Sequence, residues 1–449
     1  MSMTGWTEAP LGDCVEILDR KRVPLNRSER ETRIEGKEEA DLIPYFGATG
    51  QVGFIDDFLF DEEIVLLGED GAPFHDPSKR KAYIVRGKSW VNNHAHVLVA
   101  QDRVTTNSFL KHYLDHFDYH GYVTGTTRLK LNQGALKTIP VPLPPLPEQR
   151  RIVARIEELF SRLDAGVAAL RHAKAQLQRY RQSVLAAAVT GQLTQAWRKQ
   201  HPDTEPAEEL LARTLEERCE QWSGKRKYKP PVEPTVEGLP ELPSSWSWIS
   251  PDQASAPEDY SLAIGPFGSN LKVADYTDTG VPLVFVRHIR ANAYDLSPKF
   301  VSAEKSVELK AHSVDPGDIL ITKMGEPPGD AALYPDSRPH AVITADCIKL
   351  RLTESLDAKL FFVNAINSKL VAKQIAPRTR GVAQKKISLD RFRDVAFPLP
   401  PLAEQHQIVA EVEARTTAID HLEAELDRQI TRSNRLRQST LAAAFSGSL

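Results

Sequence analysis

The chain has 449 residues, of which 41% are apolar and 26% charged, and its formal net charge is −3. That length admits two or three domains of ordinary globular composition, and the near-neutral charge argues against a protein that grips nucleic acid by overall charge, so any DNA-binding patch must be local or shared with another subunit. No apolar run approaches a membrane span, the opening MSMTGWTEAPLGD lacks the layout of a signal peptide, and Cys14, Cys219 and Cys347 stand too far apart for a disulfide framework or zinc knuckle. A cytosolic protein is expected, with the cysteines as small buried apolar residues.

Residues 1–140 read as a first block. Short apolar runs separated by turn signals (IPYFGATGQVGFI, EEIVLLGEDGA, KAYIVRG, WVNNHAHVLVA) predict strands, a helical pattern covers Asn107 to His116, and the block is therefore mixed α+β. Its turns are rich in residues that can read base edges, namely Tyr45, Thr49, Gln51, Asn92, Asn93, His94, Thr126 and Thr127, with Lys79, Lys81 and Lys130 as candidate cationic contacts. Turns are ordinarily made of such residues too.

Residues 141–193 open on a proline cluster and then run without a helix breaker to Gly191, which predicts one long helix. Apolar residues at Ile152, Ile156, Leu159, Leu163, Val167, Leu170, Ala173, Leu177, Tyr180 and Val184 follow the three-four spacing of a coiled-coil seam. Residues 194–243 predict a linker with a charged helix over Ala207 to Trp222 and a Pro-rich basic run at Lys225, Arg226, Lys227 and Lys229.

Residues 244–396 form a second block with strand-like runs GVPLVFVRHI, GDILITKMG and ITADCIKLRL. Arg287, Arg290, Lys323, Arg378, Arg380, Lys385 and Lys386 are its candidate DNA contacts. Residues 397–449 then repeat residues 141–193 without a gap, with nearly half the positions identical. Gly125 and Gly381, and Lys130 and Lys386, keep the same offset, so the second block reads as a diverged replay of the first. The second seam, at Ile408, Val412, Ile419, Leu422, Leu426, Leu436 and Leu441, is thinner. Neither helix can cover its apolar stripe alone, and the two suggest each other as partners.

The sequence shows no catalytic constellation. AYIVRGKS misses the phosphate-gripping loop at Ala82, EPPG and KPPV are not methyltransferase tetrapeptides, EGK and ELK lack the acidic lead of a nuclease, and His94 with His96, which would share a strand face, have no third ligand in sequence.

The two LPPL[PA]EQ helix starts, the two LAAA[VF][TS]GxL helix ends, and GDILI, GATGQVGFID, LLGEDGA and WVNNHAHVL resemble the specificity subunit of type I restriction-modification enzymes across essentially the whole chain. The resemblance implies an α+β protein in which two mixed α/β target recognition domains are joined by two long helices forming an antiparallel coiled coil, with a pseudo-twofold internal repeat. It implies that each domain reads one half of a bipartite double-stranded DNA site, and that the coiled coil sets the spacing and docks two modification (methyltransferase) subunits, joined by restriction (translocase and nuclease) subunits. Pro145, Glu148 and Gln149, with Pro401, Glu404 and Gln405, at the helix starts are the expected docking residues. S-adenosylmethionine, ATP and Mg would lie on the partners and no cofactor or metal on this chain, which would be a non-catalytic subunit in a bacterial or archaeal cytoplasm. The alternatives are a self-sufficient nuclease or methyltransferase with an unrecognised site, and a coiled-coil scaffold that binds no DNA.

Overall fold

The computed structural model describes residues 5–381 and 384–449. It divides into two units. Unit 1 is Met1–Lys174 with Ala424–Leu449, and unit 2 is Ala175–Glu423. Each unit contains one block, the start of one long helix and the end of the other.

In unit 1, β1 (Thr7–Pro10) pairs with β12 (Pro140–Leu143) and brings the ends of the block together. Strands β2 (Val15–Ile17), β6 (Ile64–Gly68), β7 (Ala82–Val85) and β9 (Ala95–Ala100) form one sheet in the order β2-β9-β6-β7. A second sheet, ordered β4-β3-β8-β5, holds β3 (Ile43–Gly47), β4 (Gly50–Ile55), β5 (Phe60–Asp61) and β8 (Lys88–Val91), and a hairpin pairs β10 (Val123–Thr124) with β11 (Lys130–Leu131). The central β6, with the sequence IVLLG, is buried along its whole length, as expected of a continuous apolar run between two packed layers.

Unit 2 is built the same way. Strands β13 (Ser247–Ile249) and β22 (Phe397–Leu399) close the block. One sheet is β14-β21-β18-β19, from β14 (Leu262–Ile264), β18 (Ile319–Thr322), β19 (Ala331–Leu333) and β21 (Cys347–Leu350). The other is β16-β15-β20-β17, from β15 (Val281–Val284), β16 (Phe300–Val301), β17 (Ser313–Val314) and β20 (Ala341–Ile343). Even the parallel pair recurs, as β3 with β8 and β15 with β20, each inside an otherwise antiparallel sheet. The blocks therefore share one topology where their residues share almost nothing.

The long helices are Leu146–Val189 and Leu402–Phe445, each of 44 residues. Their pairing is antiparallel within each unit. In unit 1 Arg437 bonds Asp164, and Lys174 bonds Asp427 at 2.7 Å, so the partner's number falls by as much as the first rises. In unit 2 Arg181 meets Asp420, and Val184, Leu185 and Ala188 share a core with Ile408 and Val412. The ends of the seam are buried with the blocks: Ile152, Ile156, Leu441 and Phe445 join the unit 1 core beside Phe109 and Leu110. Tyr180, Leu422 and Leu436, expected in the seam, are about half exposed, because two helices cover only a narrow stripe of one another. Cys14 and Cys347 are buried, while Cys219 is exposed on the helix Ala207–Glu220, on its solvent side.

Candidate DNA-reading hairpin edges

The hairpin of unit 1 turns on Gly125, whose φ is +98° and whose Cβ, were one added, would sit 2.4 Å from the Arg128 carbonyl. Only glycine tolerates that conformation and that approach. The hairpin is then laced to the segment after β6: Gly71 N–H donates to Leu129 O at 2.9 Å and Leu131 N–H to Glu69 O at 2.8 Å, while Glu69 N–H donates to His94 O at 2.8 Å. The β3–β4 turn, the Glu69–Asp70 turn, the Asn92–His94 turn and the hairpin form one edge of the sheets in this way. Asn92 N–H donates to Phe46 O at 3.0 Å and Tyr83 donates to Gly47 O.

Charges on this edge are shared among many groups. Arg128 Nε lies 2.7 Å from an Asp70 oxygen and its Nη2 lies 3.3 Å from His94 Nδ1. Behind them, Glu69 is held by Arg22 at 2.7 Å and Lys130 at 3.5 Å. The buried His96 ring sits between the Asp19 carboxylate, 2.6 Å from Nδ1, and the Leu131 carbonyl, 2.9 Å from Nε2. A carbonyl can only accept, so Nε2–H donates and ties the hairpin to β9.

The hairpin of unit 2 repeats the framework with other chemistry. Gly381 has φ +115°, with its Cβ direction 2.2 Å from the Gln384 carbonyl. Gly325 N–H donates to Lys385 O and Ile387 N–H to Lys323 O, both at 3.1 Å, and Lys323 N–H donates to Asp346 O at 2.8 Å. Arg380 and Lys386 exchange both backbone hydrogen bonds at 2.9 Å. By these matching bonds Lys323 occupies the place of Glu69. One copy has an acid there and the other a base.

Of the residues singled out in sequence, Thr49, Asn92, Asn93, His94, Thr126 and Lys130 come together on the unit 1 edge, and Lys323, Arg380, Lys385 and Lys386 on that of unit 2, with Arg380, Lys385 and Lys386 exposed. His94 lies in a turn and not on a strand face with His96. Others are turned away. Tyr45 is 1% exposed, with Arg30 stacked 4.5 Å over its ring. Lys81 is 2% exposed, its ammonium donating to Lys79 O and Asp115 O beside the helix Asn107–His116. Lys79 is exposed there, away from the hairpin. Arg287 donates to Leu296 O and Ser297 O, which braces a loop, and Arg378 donates to Gln374 O and faces Asp394 at 3.6 Å. Arg290 is exposed and paired with Asp330 at 2.8 Å.

The expected docking residues divide likewise. Pro145 is exposed and Glu148 half-buried, the latter holding Arg151 through two 2.8 Å bonds. Gln149 is fully buried and accepts from Thr105 at 2.9 Å, and Gln405 is fully buried, donating to Pro400 O at 2.9 Å. Glu404 is also fully buried: Thr194 donates to it at 2.6 Å, Trp246 Nε1 at 2.9 Å, and Arg198 completes the set. Pro401 is buried as well. Gln149, Pro401, Glu404 and Gln405 are thus turned inward and offer no surface to a partner, while Pro145 and Glu148 keep part of theirs. Sequence reasoning missed Glu69, Asp70, Arg128 and Arg22; the signal was the GEDG turn placed directly after an apolar strand.

Two copies of one α/β domain, each presenting a glycine-turned hairpin edge of hydrogen-bonding and cationic groups and each wedged between the ends of two long helices, define a duplicated recognition protein. Residues 3–170 and 280–432 match the family described as type I restriction modification DNA specificity domain. The chain belongs to that family. It is 25% identical to the EcoDI specificity subunit of Escherichia coli over 459 aligned positions, 99% of this chain and 88% of that one. It is 32% identical over 153 residues to a putative specificity subunit, S.HindORF215P, of Haemophilus influenzae, covering 33% of this chain but only 36% of the relative. Among solved structures, a chain from work on complex assembly and conformational transition of the type I R-M system aligns with a TM-score of 0.67 at 17% identity, covering 100% of this chain and 99% of that one. That likeness is one of fold.

Proposed function

We propose that this chain is the DNA-recognition subunit of a type I restriction-modification complex, in which each unit reads one half of a bipartite site through its hairpin edge. The observation that carries this is the twice-built hairpin ladder: the same backbone bonds recur at Gly71 and Gly325 and at Leu131 and Ile387, while the side chains between them change from Glu69 and His94 to Lys323 and Asp346. A conserved frame with substituted polar groups is what reading two different base sequences requires.

In this reading the chain carries no catalysis of its own. The paired helices set the spacer between half-sites and dock two methyltransferase subunits, which would bring S-adenosylmethionine, with ATP and Mg on the restriction subunits and the whole complex in the cytoplasm. Tyr180 and Leu422 in unit 2 and Leu436 in unit 1 are half-exposed apolar side chains on the helices and offer those partners apolar contacts. What supports the reading is the family membership together with the two hairpin edges.

The spacer gives the test. A heptad added after Ala173 and another after Gln429 keeps the antiparallel pairing and lengthens the rod by about 10 Å. The non-specific spacer between methylated half-sites should grow by roughly three base pairs, with the bases read on either side unchanged. An unchanged spacer in a stable double-insertion protein would make the helices a docking surface alone.

A further inference from the structure

The loop that follows β14 holds an aromatic ring where the fold gives it no cover. Gly265 N–H donates to Cys347 O at 3.1 Å, and a Cβ on Gly265 would fall 2.0 Å from the Thr344 carbonyl, so the loop passes hard against the β20–β21 turn. Asn270 N–H donates to Phe267 O at 2.9 Å and closes the loop. Between these anchors the Phe267 side chain is 63% exposed, the most exposed aromatic among the described residues. The Lys323 ammonium lies 5.0 Å from its ring centroid. Lys323 is also the residue whose backbone receives the hairpin, through Ile387, and whose neighbour Met324 bridges to Lys386.

An exposed apolar ring under the Lys323 ammonium, on the edge where Arg380 and Lys386 are exposed and Lys386 faces Asp346 at 3.7 Å, is badly placed for solvent and for an apolar protein core. It matches a surface that alternates apolar base edges or faces with phosphates. The equivalent loop of unit 1, after β2, leaves Arg20 and Lys21 exposed and places Arg22 on Glu69. The same place in the fold is thus filled by an aromatic over a lysine in one copy and an arginine over a glutamate in the other.

We propose that Phe267 is a specificity-determining residue whose ring bears directly on an apolar base surface in the half-site read by unit 2, with Arg380 and Lys386 meeting the flanking phosphates. This rests on the DNA-reading assignment above. It differs from that assignment in naming an apolar contact, which reports sequence, beside cationic contacts, which report only the backbone.

The test uses the full chain assembled with its methyltransferase subunits and a randomised duplex library, comparing Phe267→Ala with Lys386→Gln. Phe267→Ala should relax the preference at one or two adjacent positions of a single half-site by about tenfold or more, and leave the other half-site as it was. Phe267→Trp should keep a preference at the same positions. Lys386→Gln should lower affinity for all sequences alike and reduce the salt dependence of binding by about one unit of slope. An unchanged preference profile for Phe267→Ala, with Lys386→Gln behaving as expected, would overturn the base contact and leave the DNA-reading assignment standing. If Lys386→Gln also changed nothing, the hairpin edge would not face DNA and both would fall. Weakened assembly of Phe267→Ala with the methyltransferase subunits, at unchanged base preference, would overturn the proposal in favour of a protein contact.

Discussion

Glu148 and Glu404 occupy the same place in the repeated helix start, yet replacing them by alanine should have very different consequences. Glu404 is buried beneath three donors, Thr194, Trp246 and Arg198, so Glu404→Ala leaves an indole N–H and a guanidinium without their acceptor inside the protein. Removing one partner of a buried ion pair costs about 3–5 kcal/mol. The lower figure applies, because the Arg198 side chain keeps some exposure, 21%, and can recover part of its solvation. For a unit of this size about 3 kcal/mol lowers the melting temperature by roughly 6–12 °C. Among the described residues Glu148 pairs with Arg151 from the next turn, at the surface, and exposed pairs contribute little. Glu148→Ala should therefore shift the melting of unit 1 by no more than replicate scatter. Differential scanning calorimetry of the full chain and both variants, with Glu404→Gln expected between the wild type and Glu404→Ala, measures this. Equal shifts for the two alanine variants would refute the argument that Thr194–Arg198 turns a surface motif into an interior one.

Gly125→Ala and Gly381→Ala should each cost about 1–3 kcal/mol in local strain, because both positions combine positive φ with a carbonyl at Cβ distance; each should weaken reading of only its own half-site in a methylation assay. The His112 imidazole, buried against Phe160 with Lys111 and Arg437 nearby, is pushed down to about 3 by burial first and those cations second. The unfolded imidazole takes its proton near 6.5, so below that pH the unfolded state binds more protons and unit 1 loses stability as pH falls, by about 3 kcal/mol between pH 6 and 3.5. Urea titrations over that range should show this extra slope in the wild type and not in His112→Leu. Lys81→Met should leave DNA affinity unchanged, because the ammonium is spent on Lys79 O and Asp115 O; a loss equal to that of Lys386→Gln in the same binding assay would reverse the assignment.

The sequence made the long helices visible because a coiled-coil seam and its flanking prolines and glycines leave a periodic, local trace, and the copy at a constant offset made the reading redundant. The block ends were legible for a similar reason: Gly125 and Gly381 stand where the hairpin needs positive φ and a carbonyl comes close to the Cβ position, which favours glycine in both copies. The shared topology of the block interiors was not. Strands of two to six residues need only be apolar on a buried face, so β6 (IVLLG) and β18 (ILIT) share a generic aliphatic character that any buried strand has and that does not mark them as counterparts. Candidate contacts failed where side-chain direction decides: Tyr45 and Lys81 sit beside turns but point beneath helices, and nothing local in their sequence sets that direction. Glu404 and Gln405 failed for another reason. A repeated motif was taken for a repeated surface, whereas the burial of Glu404 comes from Thr194 and Arg198, which lie far away in sequence and in the linker.

If each unit reads its own half-site, as proposed, replacing residues 1–140 with the corresponding block of a relative that has a different target, assembling the complex and mapping the methylated sites will show it. One half-site should change to the donor's and the other should stay as it was, with the same spacer. A change in both half-sites, or in neither, would contradict the account.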